Sequence, residues 1–345
     1  MARRYLGLET TCDETAAAVF TDEPKVLSSV VASQAARHAE FGGVVPEIAA
    51  REHLRMLLPI VRQALAESNT ALGDLAGIAV AQGPGLVGSI LVGLTAAKTL
   101  AWALGVPFVG VDHLHAHLYA CRLHAGRDVF PCVGAVFSGG HSHLFACRGA
   151  RDMRLLGATI DDAAGEAFDK IASMLGLGYP GGPAIEIAAR AGNAAAYRFP
   201  RTFIKEDRLD FSFSGLKTAV RYALFGQHAE HAGRTLSVPE IADAAASFQQ
   251  AVVDVAVAKC RQACARTGHR RLCVGGGVAA NAALRSGLEK MAEAAGIDLV
   301  LAPPSWCTDN AAMLALAAER LRAGDSDPLD LDAAAGLVRR PADLP

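Results

Sequence analysis

Apolar residues along the chain fall into two series of segments that repeat the same order. Residues 5–20 (YLGLETTCDETAAAVF) and 132–147 (CVGAVFSGGHSHLFAC) each contain an apolar strand, a tight polar turn and a second apolar strand, which is the pattern of a β-hairpin. Each hairpin is followed by alternating helical and strand segments. This alternation is typical of an α/β protein, and its repetition predicts two related halves with a cleft between them.

The remaining elements follow from the spacing of the apolar positions, which differs between helices and buried strands. The pattern predicts a helix at 44–67, a strand at 77–82 and a helix at 86–104 after the first hairpin, and a helix at 239–268, a strand at 271–277 and a helix at 281–296 after the second. We therefore predict an N-terminal lobe at 1–128 and a C-terminal lobe at 129–345. The C-terminal lobe ends in a polar, proline-punctuated tail from residue 324.

Composition is that of a folded globular protein. The 345 residues suffice for two domains of about 150 residues each, and 52% hydrophobic against 20% charged residues excludes a disordered chain. The most apolar region, 77–111, is interrupted by Gly83-Pro84-Gly85 and by Lys98, so no membrane span of about 20 residues is expected. The opening residues lack an apolar stretch of signal-peptide length, and eight cysteines without a CxxC pair suit reduced thiols, so we expect a cytoplasmic protein.

Three histidines occur within five positions of VDHLHAHLYA, residues 111–120, directly after the apolar strand PFVGV. In a strand all three would share one face, whereas in a helix only His113 and His117 lie together, one turn apart. Asp112 is a good N-cap and apolar residues recur after it at helical spacing, so the pattern favours the helix. Two imidazoles one turn apart can hold one metal ion, although two polar residues at a partly exposed helix start give the same pattern.

A third ligand is needed to choose between these two interpretations. Asp309, in CTDNAAMLALAAERL, lies near the start of a helix and offers a carboxylate oxygen. A capping aspartate explains the same position. Pattern alone does not select between Asp309 and the other available ligands, which are Cys307, His115, His141 and His143.

Glycine-rich turns suited to phosphate binding occur in both halves. The loop GPGLVG at 83–88 has the spacing of the dinucleotide fingerprint, but Pro84 removes a backbone N–H, so close packing of a helix on its strand is the favoured explanation. The turns ETTCDET and FSGGHS lie in the two hairpins, and VGGGVAAN joins a strand to a helix. Such turns bind phosphate through backbone N–H groups, which predicts a nucleotide held between the halves; glycines used only for backbone freedom are the alternative.

Eight motifs, taken together, are similar to those of a known family. They occur in order over residues 6–316 and are GLETTCDET, GPGLVGSILVG, DHLHAH, FSGGHSHL, GYPGGP, DFSFSGLKTAV, GGGVAAN and CTDNAAM. With them the chain closely resembles the bacterial TsaD proteins, the tRNA adenosine threonylcarbamoyltransferases. The resemblance covers nearly the whole chain.

The resemblance implies a fold, a reaction and a cofactor. The fold is the two-lobed, duplicated α/β fold of actin, hexokinase and Hsp70 (ASKHA), with a central cleft between the lobes. The reaction transfers the threonylcarbamoyl group of threonylcarbamoyl-AMP to the exocyclic amine of the adenosine just after the anticodon, in tRNAs that read codons beginning with A, and releases AMP. Similar proteins bind one divalent metal ion, iron or zinc, and the matching ligands here are His113, His117 and Asp309.

The same resemblance implies an adenylate site. Its residues are Val136, Phe137, Ser138, Gly139, Gly140, Asp169, Gly182, Glu186 and Asn281. Many relatives have aspartate where this chain has Glu186. Asp13 and Glu14 match acidic residues that are thought important in the family, and no residue is assigned as catalytic.

Partners and rival functions follow from the same comparison. Bacterial members act with a paralogous TsaB-type subunit and a small TsaE-type ATPase, so tRNA would be bound by a composite surface. The formal net charge of −2 agrees, since the chain alone attracts nucleic acid only weakly.

An ASKHA-type phosphotransferase or ATPase is one alternative function, but it would have no evident use for the histidine pair. In a metallopeptidase, the position of Leu114 usually holds a general-base glutamate. A nucleotide-switched scaffold is the non-enzymatic alternative.

Overall fold

Strands and helices alternate through residues 2–226 and 235–336, the part of the chain that a computed structural model describes. The strands are β1 (Arg4–Glu9), β2 (Glu14–Thr21), β3 (Val26–Ser33), β4 (Leu75–Gly83), β5 (Phe108–Asp112), β6 (Cys132–Phe137), β7 (Ser142–Gly149), β8 (Asp152–Ala158), β9 (Arg271–Gly275) and β10 (Asp298–Leu301). The α-helices are α1 (Ala35–Ala39), α2 (Pro46–Glu67), α3 (Val87–Leu104), α4 (His113–Ala125), α5 (Ala164–Met174), α6 (Gly181–Ala189), α7 (Ser214–Phe225), α8 (Val238–Thr267), α9 (Ala282–Ala295), α10 (Pro304–Cys307) and α11 (Leu316–Arg322). The predicted hairpins, helices and strands are present among them, except that the helix expected to start near Asp309 begins at Leu316, after a 3-10 turn at Ala312–Ala315.

The described strands form two five-stranded sheets with the same topology. In the first sheet β1 lies between β2, its antiparallel hairpin partner, and β4, which runs parallel to it, in the order β3-β2-β1-β4-β5. In the second sheet β6 takes the place of β1, and the order is β8-β7-β6-β9-β10. Equivalent strands therefore occupy equivalent positions, which confirms the predicted α/β class and its duplication.

Burial explains the apolar sequences of the central strands. Residues 5–9 of β1 and 132–137 of β6 are buried throughout. Helices cover these sheets, with α2 and α3 packed on β2 and β4 in the first and α8 packed on β6 in the second. A strand that is covered in this way reads as a continuous apolar run. Glu9, at the end of β1, is buried with it although it carries a charge.

Contacts within the chain divide it into two units. The first contains the residues up to Phe130, Arg148–Met153 and the residues from Thr308 onward, and the second contains Pro131–Cys147 and Arg154–Cys307. The predicted lobes differ from these units at the C-terminal end, because α11 packs on β5 and the turn Ala312–Ala315 packs on β1 and α4. Asp309 therefore belongs to the same unit as His113 and His117.

The residues after α11 follow the strands of the first sheet. The N–H of Asp327 donates to the carbonyl of Phe108 in β5 (2.8 Å), and the N–H of Ala334 donates to the carbonyl of Gln82 in β4 (3.0 Å). This part of the predicted polar tail is thus hydrogen-bonded along β5 and β4. Residues 337–345 of that tail lie outside the described residues.

Two helices, α3 and α8, have the length and hydropathy of a membrane span. For α3 this differs from the expectation that the region 77–111 contains no such stretch. Both helices belong to the folded units, since α3 packs on β4 and α2, and α8 packs on β6, α6 and α9. Helices of soluble cores share this length and composition, so packing within the units accounts for both.

Asp161 fixes the start of α7 in the second unit. Its carboxylate accepts hydrogen bonds from the hydroxyls of Ser212 (2.6 Å) and Ser214 (2.7 Å) and from the N–H of Phe213 (2.9 Å). Burial raises the pKa of Asp161, but these hydrogen bonds outweigh it and hold the pKa below its ordinary value. The start of the FSFSGLK segment is thereby tied to residue 161.

Replacement of Asp161 by asparagine should destabilise the protein at neutral pH but not in acid. The folded pKa lies below the unfolded value of about 3.9, so the ionised carboxylate stabilises the fold above that pH, and the contribution is lost as pH falls through the folded pKa. The difference between the urea-unfolding midpoints of Asp161→Asn and the parent should therefore be constant near neutral pH and shrink as pH falls below about 4. An undiminished difference in acid would contradict this role.

Candidate functional site

Helix α4 begins at His113 because Asp112 caps it. The Asp112 carboxylate, at the end of β5, accepts hydrogen bonds from the N–H groups of Leu114 (2.8 Å) and His115 (3.0 Å), donors that a helix start otherwise leaves without partners. The predicted helix and its cap are confirmed. His113 and His117 lie one turn apart, with their ring centroids 4.6 Å from each other.

Asp309 lies against both of these histidines. Its Oδ1 is 3.1 Å from Nε2 of His117 and 3.5 Å from Nε2 of His113. The two imidazoles are buried, whereas the Asp309 side chain is 17% exposed. Asn310 holds the turn that carries Asp309, because its side-chain oxygen accepts the N–H of Met313 (3.2 Å). The structure thus brings together one aspartate and two histidines that are nearly 200 residues apart in sequence.

The three ligand atoms fit a small divalent cation. A tetrahedral ion with bonds of about 2.1 Å would hold its ligand atoms about 3.4 Å apart, and the distances measured here are 3.1 and 3.5 Å. All three atoms lie within 4.8 Å of one another, and no other three such side chains meet that limit among residues 2–226 and 235–336. The alternatives that the sequence left open are therefore not part of this group; they are Cys307, His115, His141 and His143.

Carboxylates crowd around this group. Burial raises the pKa of Glu14 to about 10, and the charges of Asp309 and Asp13 add to the rise. Burial lowers the pKa of His113, but the charges of Asp309 and Glu9 outweigh it and raise the pKa to about 9. The charge of Asp309 thus contributes to raising both pKa values, and a divalent cation would offset that charge.

The loop GPGLVG packs against other segments of this chain. The N–H of Leu86 donates to the carbonyl of Thr11 (2.8 Å), and a Cβ on Gly85, whose φ is +159°, would lie 2.4 Å from that oxygen. A Cβ on Gly83 would overlap with the carbonyl oxygen of Ala334. These glycines allow backbone to approach backbone, which supports the packing explanation over a dinucleotide site.

The turn after β6 is held by the start of α5. The N–H of Ser138 donates to the carbonyl of His141 (2.8 Å) and closes the turn. The carbonyl of Ser138 accepts the N–H of Gly165 (3.2 Å), and the carbonyl of Gly139 accepts the N–H of Glu166 (2.9 Å). Two N–H groups at the start of α5 therefore fix the orientation of the turn.

Exposure differs among the predicted adenylate residues in this hairpin. Val136 and Phe137 are fully buried, so their side chains belong to the core of the second unit. Gly139 and Gly140 are exposed, and a Cβ on either would meet nothing within 4 Å. Only the two glycines thus present open backbone that a ligand could approach.

Asp169 lies beside the start of α6, which carries two further predicted residues. Its Oδ1 accepts the N–H of Gly181 (2.7 Å), and a Cβ on Gly181 would lie 2.5 Å from the Asp169 Cα. Gly182 follows with open space in place of a side chain, and Glu186 lies about one turn further along α6. The close approach of α5 to α6 thus places Asp169 next to Gly182.

Glu186 and Asn281 are joined by a hydrogen bond. The Asn281 side-chain oxygen caps α9 by accepting the N–H of Leu284 (3.0 Å). Its amide donates to Glu186 Oε2 (3.2 Å) and to Gln249 Oε1 (2.8 Å). Glu186 therefore contacts a second predicted site residue.

Gly165→Ala should weaken adenylate binding although alanine favours helices. A Cβ on Gly165 would lie 2.6 Å from the Ser138 carbonyl oxygen, so the turn must move. Gly215 is the matched control, because it is also the second residue of a helix and its Cβ would meet nothing within 4 Å. We expect Gly165→Ala to lower the unfolding free energy by about 1–3 kcal/mol and Gly215→Ala to leave it unchanged or raise it by up to about 1 kcal/mol.

Calorimetric titration with AMP and urea unfolding of the two variants check this expectation. Weaker AMP binding in Gly165→Ala, with unchanged binding in Gly215→Ala, is the expected pair of results. Equal AMP affinity in both variants would show that the contact between α5 and the turn does not position the glycines.

Several residues that support the site were missed by the sequence analysis. They are Glu9, Thr11, Gly165, Gly181 and Gln249. Each contacts a predicted site residue or its neighbour. Glu9 gives a signal, since it is an acid that ends the apolar run YLGL. Gly181 lies beside the predicted Gly182, and Gly165 lies four residues before the predicted Asp169. Gln249 gives none, because it is one polar residue in a long helix.

Solved structures define the class of the fold. One similar structure is the crystal structure of full-length HypF in a phosphate- and nucleotide-bound form. The match covers 93% of this chain and 46% of the HypF chain, with a TM-score of 0.62 and 14% sequence identity. Another is component A of the (R)-2-hydroxyglutaryl-CoA dehydratase of Acidaminococcus fermentans. This match covers 93% of this chain and 100% of the component A chain, with a TM-score of 0.53 and 14% sequence identity. At such identities the likeness concerns the fold alone. The chain has an ASKHA-type fold, and its first unit carries a His/His/Asp group that can hold a metal ion.

Sequence comparison identifies the family within this class. The family model TsaD, tRNA N6-adenosine threonylcarbamoyltransferase, matches residues 25–316. The proteins of that name from Rhodopirellula baltica and Pelobacter propionicus are 51% and 50% identical to this chain, over 97% and 96% of each sequence. The chain belongs to the tRNA N6-adenosine threonylcarbamoyltransferase family, and it is a transferase, as the sequence motifs predicted.

Proposed function

We propose that this chain transfers the threonylcarbamoyl group of threonylcarbamoyl-AMP to the exocyclic amine of the adenosine just after the anticodon, in tRNAs that read codons beginning with A. The carbamoyl carbon exchanges its bond to a phosphate oxygen for a bond to the amine nitrogen, the amine loses a proton, and AMP leaves. The observation that carries the proposal is the meeting of His113, His117 and Asp309 in a chain of this family. A phosphotransferase of the same fold has no evident use for such a group.

The first unit would hold one divalent metal ion, iron or zinc. Imidazole nitrogens and a carboxylate oxygen are ligands for both metals. When bound, the ion would act as a Lewis acid toward oxygen atoms of the donor. The chain contributes the orientation of the ligands, because Asp112 fixes the start of α4 and Asn310 fixes the turn of Asp309.

The second unit would bind the adenylate. Because the N–H of Ser138 closes its own turn, phosphate binding falls to the N–H groups of Gly139 and Gly140. Asp169 and Asn281 offer a carboxylate and an amide for the ribose or the base. Bound in this way, the donor would be held by fixed dipoles, so orientation rather than a covalent nucleophile would supply the rate enhancement.

The proposal includes partners for tRNA binding. With a net charge of −2, this chain offers phosphate little attraction by itself, so a composite surface with a paralogous TsaB-type subunit and a small TsaE-type ATPase would bind the tRNA. A location in the cytoplasm, where tRNA is modified, follows from the same proposal.

Nucleoside mass spectrometry tests the proposal. The purified chain, its two partner proteins, ATP and zinc or ferrous iron are incubated with threonylcarbamoyl-AMP and an unmodified tRNA transcript that reads a codon beginning with A. Threonylcarbamoyladenosine should appear, and a transcript with guanosine in place of the target adenosine should yield none. Absence of the modified nucleoside, or ATP-dependent phosphorylation in its place, would refute the proposal.

A further inference from the structure

Glu9 carries a charge in the interior of the first unit. It ends β1, whose preceding residues are apolar, and its side chain is 0% exposed. A carboxylate removed from water is costly unless hydrogen bonds compensate for it. The partners of Glu9 therefore indicate why the residue is there.

Each oxygen of the Glu9 carboxylate has its own partner. Oε1 accepts the backbone N–H of Thr11 (2.7 Å), and Oε2 lies 3.0 Å from Nδ1 of His113. The hydroxyl of Thr11 lies 3.2 Å from the same Nδ1. The backbone bond fixes the direction of the carboxylate, so its second oxygen is aimed at one nitrogen of one imidazole.

That nitrogen is the one that faces away from Asp309. A neutral imidazole has one N–H and one lone pair, and a metal ligand must offer the lone pair. If Nδ1 donates its hydrogen to Glu9, the lone pair is on Nε2, which lies 3.5 Å from Asp309 Oδ1. The hydrogen bond to Glu9 thus selects the tautomer that presents Nε2 to a metal ion.

His117 lacks this support. Its Nε2 also faces Asp309, but its Nδ1 is buried without a hydrogen-bond partner in the described structure. The two histidines are therefore not equivalent. In the described structure, Nδ1 of His113 is hydrogen-bonded to a carboxylate and Nδ1 of His117 is not.

We propose that Glu9 is a positioning residue, which binds Nδ1–H of His113 and so holds that histidine in the orientation and tautomer needed to ligate a divalent cation. The inference rests on the proposed metal-dependent function. A purely structural Glu9 would stabilise β1 and the turn after it without affecting metal affinity, so metal affinity separates the two roles.

Zinc binding by the full-length chain, measured by competition with a chromophoric chelator, is the first test. Glu9→Leu should weaken zinc binding roughly 10- to 100-fold. Glu9→Gln should weaken it about threefold or more, because one neutral amide oxygen replaces a charged acceptor that served two donors. Glu319→Gln is the matched control, since Glu319 accepts a hydrogen bond from Tyr119 (2.9 Å) on the same helix α4 and contacts no ligand of the metal group.

The state of His113 itself is the second test. In zinc-loaded protein labelled with 15N-histidine, the proton on Nδ1 of His113 should give a signal protected from exchange with water. The signal should be lost in Glu9→Leu and kept in Glu319→Gln. If Glu9→Leu does not fold, zinc affinity and this signal in Glu9→Gln, in which the proton should exchange faster, decide the question.

The inference is overturned if both Glu9 variants that fold bind zinc within twofold of the parent, if Glu319→Gln loses as much affinity, or if the Nδ1 proton of His113 stays protected without the carboxylate. None of these measurements uses tRNA. A chain that binds zinc through Glu9 but transfers no threonylcarbamoyl group would refute the proposed function alone.

Discussion

His117→Ala and Asp309→Asn should each abolish tight metal binding and reduce threonylcarbamoyl transfer by roughly 100- to 1,000-fold, which corresponds to the several kcal/mol expected of a catalytic metal ion. His117→Ala leaves two of the three ligand atoms that meet within 4.8 Å, and Asp309→Asn replaces the anionic oxygen with a neutral amide. Asparagine keeps the size of Asp309 but lacks its charge, and His117→Ala leaves the contact between Glu9 and His113 in place.

His124→Ala is the control for these variants. His124 lies on the same helix α4 but is exposed, and it is not part of the metal group. Metal content by mass spectrometry and transfer by nucleoside analysis should match the parent in His124→Ala. Full transfer by a metal-free His117→Ala protein would remove the ion from the reaction.

His113→Ala should destabilise the metal-free protein by roughly 3–5 kcal/mol, because it leaves a buried carboxylate without its partner. Glu9 would then keep only the N–H of Thr11. The change in stability caused by Glu9→Gln should therefore have opposite signs in the parent and in His113→Ala. In the parent, Glu9→Gln should destabilise, since the amide cannot accept from both donors. In His113→Ala, the same substitution should stabilise, because it removes an uncompensated charge.

Urea-unfolding midpoints of the four proteins, measured with a chelator present, check this reversal. The four are the parent, the two single variants and the double variant. If Glu9→Gln destabilises both backgrounds equally, the carboxylate and the imidazole are not coupled, and the contact at 3.0 Å contributes nothing to stability.

Local patterns were sufficient to predict much of the fold. A regular spacing of apolar positions marks the two hairpins and helices α2, α3, α8 and α9. Helix α4 has such a spacing and also a capping aspartate immediately before it. Strands β3, β8 and β10 were not predicted. Burial alternates along β3 from Ser28 onward, but the residue types do not follow it, because Ser28 is buried and Val31 is exposed. In β8 and β10, buried, intermediate and exposed positions are mixed without a regular period.

The third metal ligand could not be selected from local pattern. Asp309 and Cys307 stand two residues apart, and either could face the histidines. The outcome depends on the turn that Asn310 holds and on the packing of the following residues against β1 and α4, which are contacts between distant segments. Glu9 was missed for the same reason, since its partner His113 is about 100 residues away.

The first unit is interrupted in sequence by the second, and this affects how the protein is made. When His113 and His117 leave the ribosome, Asp309 has not yet been translated, and the whole of the second unit is synthesised before it. The nascent chain thus carries Glu9 and two histidines without the third ligand. An ion that needs all three ligands could bind only after Asp309 has been made, and a transcript that ends before codon 309 encodes both histidines without the third ligand.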